Sequence, residues 1–361
     1  MTKFNAKNER TKRRYLHYLK NAKGNGDAVV DGAMQAIHRF EVYTRFRDFD
    51  KFDTRQAIAF KGHLAKQTNA RTKEHLSQAT LRSILAALKA FFRWLASQPG
   101  YRRLTYSDAD YFNLSLHDEA IATARREKSP PTIEQIRHVV NTMPSRTDIE
   151  RRDRAVVAFI MLTGLRDNAV ASLRLGDVDL AKGKVRQDAR HVRTKFAQTN
   201  EVWFFPIGDD FRAIVEDWVT FLLVERHWGL DDPLFPATEV AHGADRVFET
   251  KGLKRKGWAN AEPIRAIFRA AFAAAGLPYC NPHLLRKTLV LWLEKTCRTA
   301  EEFKCGSQNL GHKDVLTTFG SYGTVPTHRQ AEVLRALGRA KAEDPRIVDL
   351  IQQLARETGA I

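Results

Sequence analysis

No single hydrophobic core runs unbroken through residues 122 to 131. The stretch from Ala122 to Ser129 is charged and has little to bury, and Pro130-Pro131 disfavours helix in the residues before it. The chain of 361 residues is therefore read as two segments, each of which must bury its own apolar pattern, joined by a linker at 122–131. Thr132 then opens a new helix as N-cap, with Gln135 three residues on in a capping-box arrangement.

The segment before the linker, 28–121, is helical in pattern. Between Ser77 and Ser97, residues Leu81, Ile84, Leu85, Leu88, Phe91, Phe92 and Leu95 recur at steps of three and four, which gives one apolar stripe. Arg82, Lys89 and Arg93 decorate the other side and are candidate contacts for a polyanion. A second helix starts at Asp53-Thr54 with Ile58 and Leu64 inward, and Met34, Ile37 and Phe40 suggest a third. Residues 1–27 hold eight Lys or Arg against Glu9 and Asp27 and read as a basic arm. The alternative is a helix whose Tyr15, Leu16, Tyr18 and Leu19 pack beneath the cations.

After the linker, the uniform apolar run from Ala155 to Leu162 reads as the centre of a second core and stops at Gly164. From Gly183 to Ile207 the period changes: Val185, Val192, Phe196, Val202, Phe204 and Ile207 lie among polar residues, with a turn at 197–200, as in a small antiparallel element. Helices follow at 210–226, 261–275 and 282–296, and the Gly-, Ala- and charge-rich stretch 237–256 reads as loop. The fold class is thus mainly α with a small antiparallel β element.

Charge narrows the partners. With 59 Lys or Arg against 42 Asp or Glu, the formal net charge is +17, which suits nucleic acid first and an anionic membrane surface or acidic protein second. No apolar run approaches the roughly 20 residues of a membrane span, and the first residues lack the apolar core of a signal peptide, so a cytoplasmic protein is expected. Three cysteines, Cys280, Cys297 and Cys305, argue against a disulfide framework. Their spacing with His283 does not fit a structural zinc cluster, and no phosphate-binding Gly-rich loop is present, so neither metal nor cofactor is expected.

Four stretches of the second segment carry chemistry. Arg166 follows a buried helix in the turn Thr163-Gly164-Leu165-Arg166; Lys195 sits in the β element; His283 and Arg286 lie three apart on one helical face; and Leu310-Gly311-His312 precedes Tyr322 by ten residues. Singly, each has an ordinary reading as a cap, a surface cation, a core histidine or a packed aromatic. Together they suit a phosphodiester, for they offer a nucleophile, donors for the non-bridging oxygens and a proton donor for the leaving group.

In this order, Arg, Lys, His-x-x-Arg, Leu-Gly-His and Tyr, the chain resembles the tyrosine recombinases, or phage integrases, from about residue 30 to 335. The Pro233-Leu-Phe-Pro236 stretch is similar too. The resemblance implies that 28–121 is a core DNA-binding domain and 132–340 a catalytic domain, the two forming a clamp on duplex DNA. It implies that Tyr322 attacks the scissile phosphate to leave a 3′-phosphotyrosine and a free 5′-hydroxyl, while Arg166, Arg286 and His312 hold phosphate oxygens. Lys195 then protonates the leaving oxygen and His283 assists proton transfer at the tyrosine. Arg193 and Lys287 join Arg82, Lys89 and Arg93 as candidate DNA contacts. Three departures stand out: Ala169 where many members have an acid, Lys287 where a second histidine is frequent, and a His312–Tyr322 interval one residue longer than is common.

The expected function is integration or excision of a mobile element. The alternatives are resolution of chromosome or plasmid dimers with the same chemistry, a type IB topoisomerase, and a DNA-binding regulator with a dead site. Beyond Tyr322, residues 327–340 read as one helix and 345–354 as another bearing Ile347, Leu350, Ile351 and Leu354 in one stripe. The segment 341–361 either packs on its own domain or docks in a neighbouring protomer, giving a tetramer on two duplexes. Accessory DNA-bending or directionality proteins are further expected partners.

Overall fold

The computed structural model describes residues 4–69, 73–124, 129–242 and 248–312, and the chain divides into two units, Met1–Arg126 and Glu127–Ile361. Both are mainly helical, and the described β-strands are antiparallel and lie in the second unit, the first having one isolated bridge between Thr68 and His75.

The first unit contains α1 (Ala6–His17), α2 (Asp27–Tyr43), α3 (Thr54–Ala65), α4 (Gln78–Ala96) and α5 (Leu116–Thr123). On α4 the stripe read from the sequence is buried at Leu81, Leu85, Leu88, Phe91, Phe92 and Leu95. Phe40 of α2 meets Phe60 and Phe92 edge-on, with ring centroids 5.2 and 5.4 Å apart, so the core is held by aromatic pairs as well as by area burial. Asp53 caps α3 in a capping box with Gln56. Ala57, Phe60 and Leu64 take its inward positions, whereas Ile58, expected inward, is 51% exposed.

The described part of the basic N-terminal segment, from residue 4 on, packs as a helix in place of a free arm. Asn5 caps α1, which runs on into a wider turn at Tyr18–Ala22, and Tyr15 lies in the core with its ring 5.1 Å from that of Phe91 and 4.9 Å from that of Trp94. Lys12 is buried against Glu41 at 2.6 Å, and Asn8 donates to the same carboxylate at 3.0 Å. Aromatic burial outweighs the repulsion that the charge count suggested, because the cation on the inward face has its own acidic partner.

The second unit runs α6 (Ile133–Thr142), α7 (Asp148–Thr163), α8 (Asp167–Val170), β1 (Val178–Asp179), β2 (Lys184–Gln187), β3 (Asn200–Trp203), α9 (Asp209–Thr220), β4 (Pro236–His242), β5 (Phe248–Gly257), α10 (Glu262–Ala274), α11 (Pro282–Thr296) and α12 (Ala300–Asn309). Thr132 and Gln135 form the capping box of α6 that the sequence predicts. Helix α7 is the central element: every residue from Ala155 to Thr163 is buried, which explains an apolar run with no polar face.

Strands β1, β2 and β3 form one antiparallel sheet in chain order, with Val185 opposite Val202. The stretch 237–256, read as loop, is instead mostly a second hairpin, β4 against β5, with register shifts at Pro236/Ala237 and Glu239/Val240. Much of β5 and the outer part of β4, as at Val240 (53%), are solvent-exposed, with Ala237 and Leu253 packed on the core, so no clear alternation of apolar residues announces the strands. Tyr322 and the two expected helices at 327–340 and 345–354 lie outside the described residues.

Candidate active site

The end of α7 sets the first cation. Gly164 caps the helix at φ +63°, and a Cβ there would stand 2.5 Å from Leu310 Cδ2 and 2.9 Å from Leu289 Cδ1. Only glycine meets both requirements, the left-handed backbone and the close approach. The chain then turns so that Arg166 caps α8, with its carbonyl accepting from Ala169 N at 2.9 Å. Asp167, the nearest acid in sequence, pairs with Arg265 at 2.8 Å instead of supporting Arg166. Ala169 offers no carboxylate, and Arg166 has no ion-pair partner among the described residues.

The same turn holds the second arginine. Asn281 caps α11 through Leu284 N at 3.1 Å, and one turn on Arg286 is 4% exposed. Its Nη1 donates to the Gly164 carbonyl and its Nη2 to the Leu310 carbonyl. Nη2 also lies 3.4 Å from His312 Nε2, so this geometry has the ring accept on Nε2 and carry its proton on Nδ1. Arg286 is thus fixed by neutral main-chain oxygens and retains its whole charge.

Lys195 does not lie in a strand. It opens a short 3₁₀ turn, Lys195–Ala197, in the connection between β2 and β3, where it is exposed. The connection is pinned on the side before Lys195. Val192 is buried, Arg193 N donates to Ser172 Oγ at 2.9 Å, and the Arg193 guanidinium donates to the carbonyls of Trp258 at 2.9 Å and Ala259 at 3.1 Å. His191 Nε2 meets the Asp177 carboxylate at 2.9 Å. Arg166, Arg193, Thr194, Lys195 and His312 line a cleft of about 230 Å³ together with Gln187, Asn200 and Gly311.

Among the described residues no carboxylate lines that cleft. The charged side chains that line it, Arg166, Arg193 and Lys195, are all cationic. Burial first, then Arg166, pushes Arg286 down to about 9, and burial lowers Arg166. Burial, followed by Arg286, Arg166, His283 and Lys195, pushes His312 down to about 4. His283 presents an exposed surface, yet partial desolvation of its ring and then Arg286 and Arg166 lower it also. Both histidines are therefore mainly neutral at pH 7, and an anion entering the cleft would oppose the like-charge part of these shifts. A phosphodiester oxygen fits that field and the donor geometry.

The structure brings Arg166, Lys195, Arg286 and His312 together at one locus, with His283 close enough to feel Arg166 and Arg286. It does not place Arg82, Lys89 and Arg93 as free cations. Arg82 pairs with Glu119, and Lys89 and Arg93 share Asp110 at 2.9 and 2.8 Å. Lys287 is half-buried on α11 beside Arg286 and is not among the residues lining the cleft. Thr194, Gln187 and Asn200 escaped the sequence reading, in which only the adjacency of Thr194 to Lys195 pointed toward the site. Among the described residues no His, Cys, Asp and Glu cluster suits a metal ion, and the Cys280 thiol is buried and pushed up to about 12.

Residues 131–328, more than half of the chain, match the model of the phage integrase family. The chain belongs to that family. Its members, the tyrosine recombinases, cleave and rejoin DNA through a tyrosine intermediate. The tyrosine recombinase XerC of Stutzerimonas stutzeri (strain A1501) is 25% identical over 317 residues, 84% of this chain and 88% of that protein. The XerC of Bacillus pumilus (strain SAFR-032) is 21% identical over 326 residues, 89% and 92% of the two chains. Among solved structures, a lambda integrase dimer bound to a COC′ core site aligns at TM-score 0.58 with 15% identity over 88% of this chain and 78% of that one. The Tn1549 transposon integrase in complex with transposon right end DNA aligns at 0.56 with 15% identity, over 90% and 98%. The fold of this phage integrase family member is therefore that of the two-domain tyrosine recombinases. Among the described residues no helix is long and apolar enough to cross a membrane.

Proposed function

We propose that the protein is a site-specific DNA recombinase in which Tyr322 is the nucleophile. The tyrosine oxygen attacks the scissile phosphorus, a 3′-phosphotyrosine forms, and the bond to the 5′-oxygen breaks. Arg166, Arg286 and His312 neutralise the non-bridging oxygens as charge develops, Lys195 delivers a proton to the departing 5′-oxygen, and His283 takes part in proton transfer at the tyrosine. Tyrosine ordinarily titrates near ~10, so a field of clustered cations is what lets it act at neutral pH. Because the covalent link conserves the phosphoester, resealing by the freed 5′-hydroxyl needs no nucleotide cofactor.

The observation that carries this reading is the state of Arg286: buried, gripped by two carbonyls, beside Arg166 and, among the described residues, with no carboxylate lining the adjoining cleft. A buried, unbalanced cation is costly in an empty site and favourable once a phosphate arrives. A nicked suicide substrate, from which the short 5′-hydroxyl strand diffuses away after cleavage, tests it. The substrate is built on junction sequences that the protein generates in cells. The parent should accumulate a covalent complex, and Tyr322→Phe should bind the DNA and form none. A parent that forms no adduct on such DNA would overturn the proposal.

We assign the biological use to integration or excision of a mobile element. Resolution of chromosome or plasmid dimers is the second reading, and the XerC relatives, matched over most of their length, support it. The basic segment at the N-terminus, which by sequence leaned toward an element-encoded enzyme, is built into the first unit and no longer distinguishes the two. Partner choice separates them: a resolvase recombines two copies of one site, whereas an integrase joins an element end to a distinct target. In either use the working form is a tetramer on two duplexes in the cytoplasm, closed by the tail after Tyr322, with accessory DNA-bending proteins where direction is controlled.

A further inference from the structure

Among the described residues of the second unit, three side-chain polar atoms are fully buried and have no hydrogen-bond partner: Arg286 Nε, Arg193 Nε and Thr194 Oγ1. Buried polar atoms are nearly always satisfied, so these three need a partner from outside the chain, water or a ligand. Two of them belong to residues that precede Lys195 and line the cleft with Arg166 and His312. Arg193 is already locked, its terminal nitrogens donating to the Trp258 and Ala259 carbonyls, and Nε is the N–H left over. Thr194 N donates to the Val192 carbonyl at 2.8 Å, so the backbone that carries the hydroxyl is fixed as well.

We infer that Thr194 Oγ1 and Arg193 Nε are two further donors to a non-bridging oxygen of the phosphodiester bound in this cleft. The inference rests on the recombinase reading and deepens it. The connection that brings Lys195 to the leaving oxygen also grips the phosphate itself, so the proton donor and the reacting group are held by consecutive residues. Because both atoms are fully buried in the DNA-free protein, reaching that oxygen takes a small side-chain adjustment on a backbone that is already fixed.

Thr194 is the cleaner probe, because Arg193 also anchors the loop. Affinity is measured in a Tyr322→Phe background for duplexes with either a normal phosphate or a neutral methylphosphonate at the scissile position, each diastereomer separately. Thr194→Val should weaken binding to normal DNA on the order of tenfold, and for one diastereomer the penalty should vanish because its oxygen partner is gone. Thr194→Ser should bind as the parent does. An equal penalty on normal DNA and both diastereomers, or no penalty on normal DNA, would overturn the inference, the first pointing to loop packing alone. Failure of the underlying reading shows separately, as a parent that forms no covalent complex.

Discussion

Gly164→Ala is the substitution whose consequence the structure states most sharply. Alanine at φ +63° costs about 1–2 kcal/mol of backbone strain, and its methyl would sit 2.5 Å from Leu310 Cδ2 and 2.9 Å from Leu289 Cδ1. Relieving contacts that close adds about 1–3 kcal/mol of overpacking, so the second unit should lose roughly 2–5 kcal/mol. The functional effect should exceed the stability effect. Leu310 and Gly164 supply the two carbonyls that hold Arg286, so backbone strain at residue 164, or a backbone shift of Leu310 that frees the methyl, moves the guanidinium and His312. Urea unfolding followed by tryptophan fluorescence reports chiefly on this unit, since Trp203, Trp218, Trp228, Trp258 and Trp292 lie there and only Trp94 lies in the other. Gly62→Ala is the control: its Cβ meets nothing within 4 Å and its φ is ordinary, so removing a mid-helix glycine should stabilise α3 by about 0.5–1 kcal/mol. A Gly164→Ala protein within about 0.5 kcal/mol of the parent that also cleaves at the parent rate would refute the reasoning.

Three other outcomes follow from the site and its surroundings. Lys195→Ala should slow cleavage of normal DNA and recover on a substrate whose 5′-bridging oxygen is replaced by sulfur, a better leaving group; equal loss on both would make Lys195 a phosphate anchor only. With DNA absent, the lowered pKa values of His312 and His283 mean that the unfolded chain binds protons more readily, so their stability contribution is present above about pH 6.5 and is lost as pH falls toward 4. His312→Asn should flatten that part of the stability–pH curve, and an unchanged curve would contradict the assigned field. Because Arg82, Lys89 and Arg93 are already paired with Glu119 and Asp110, each alanine substitution should reduce the log–log salt slope of DNA binding by less than one; a full unit would show direct phosphate contact.

How much of this was legible in the sequence depends on whether a residue's role is local. The helices and their caps were, because periodicity and capping chemistry act over a turn or two: Asp53, Thr132 and the α4 stripe lie where the pattern puts them. The Arg166, His283, Arg286 and His312 constellation was legible because the spacing within each motif is short and the chemistry specific. The β4–β5 hairpin was not, since only a few of its residues, such as Ala237 and Leu253, pack on the core and register shifts break the period-two signal. The packing of α1 was undecided by charge alone, for the acid that neutralises Lys12 is Glu41, far along the chain. The unpaired donors of Arg193 and Thr194 were invisible for a related reason. Whether a polar atom has a partner depends on Trp258 and Ala259, which no local pattern connects to residue 193.

The central claim is that this cation cluster drives Tyr322 to form a 3′-phosphotyrosine. Digestion of the covalent complex trapped on the suicide substrate, with the linked peptide sequenced by mass spectrometry and the polarity of the attached strand determined, measures that claim directly. The peptide spanning Tyr322 should carry the 3′-end of the cleaved strand, and Arg286→Ala should lower the yield of that adduct by a factor of at least about 100, the scale of losing an anchored transition-state donor. Attachment at another residue or through the 5′-end, or an adduct formed equally well without the Arg286 guanidinium, would contradict it.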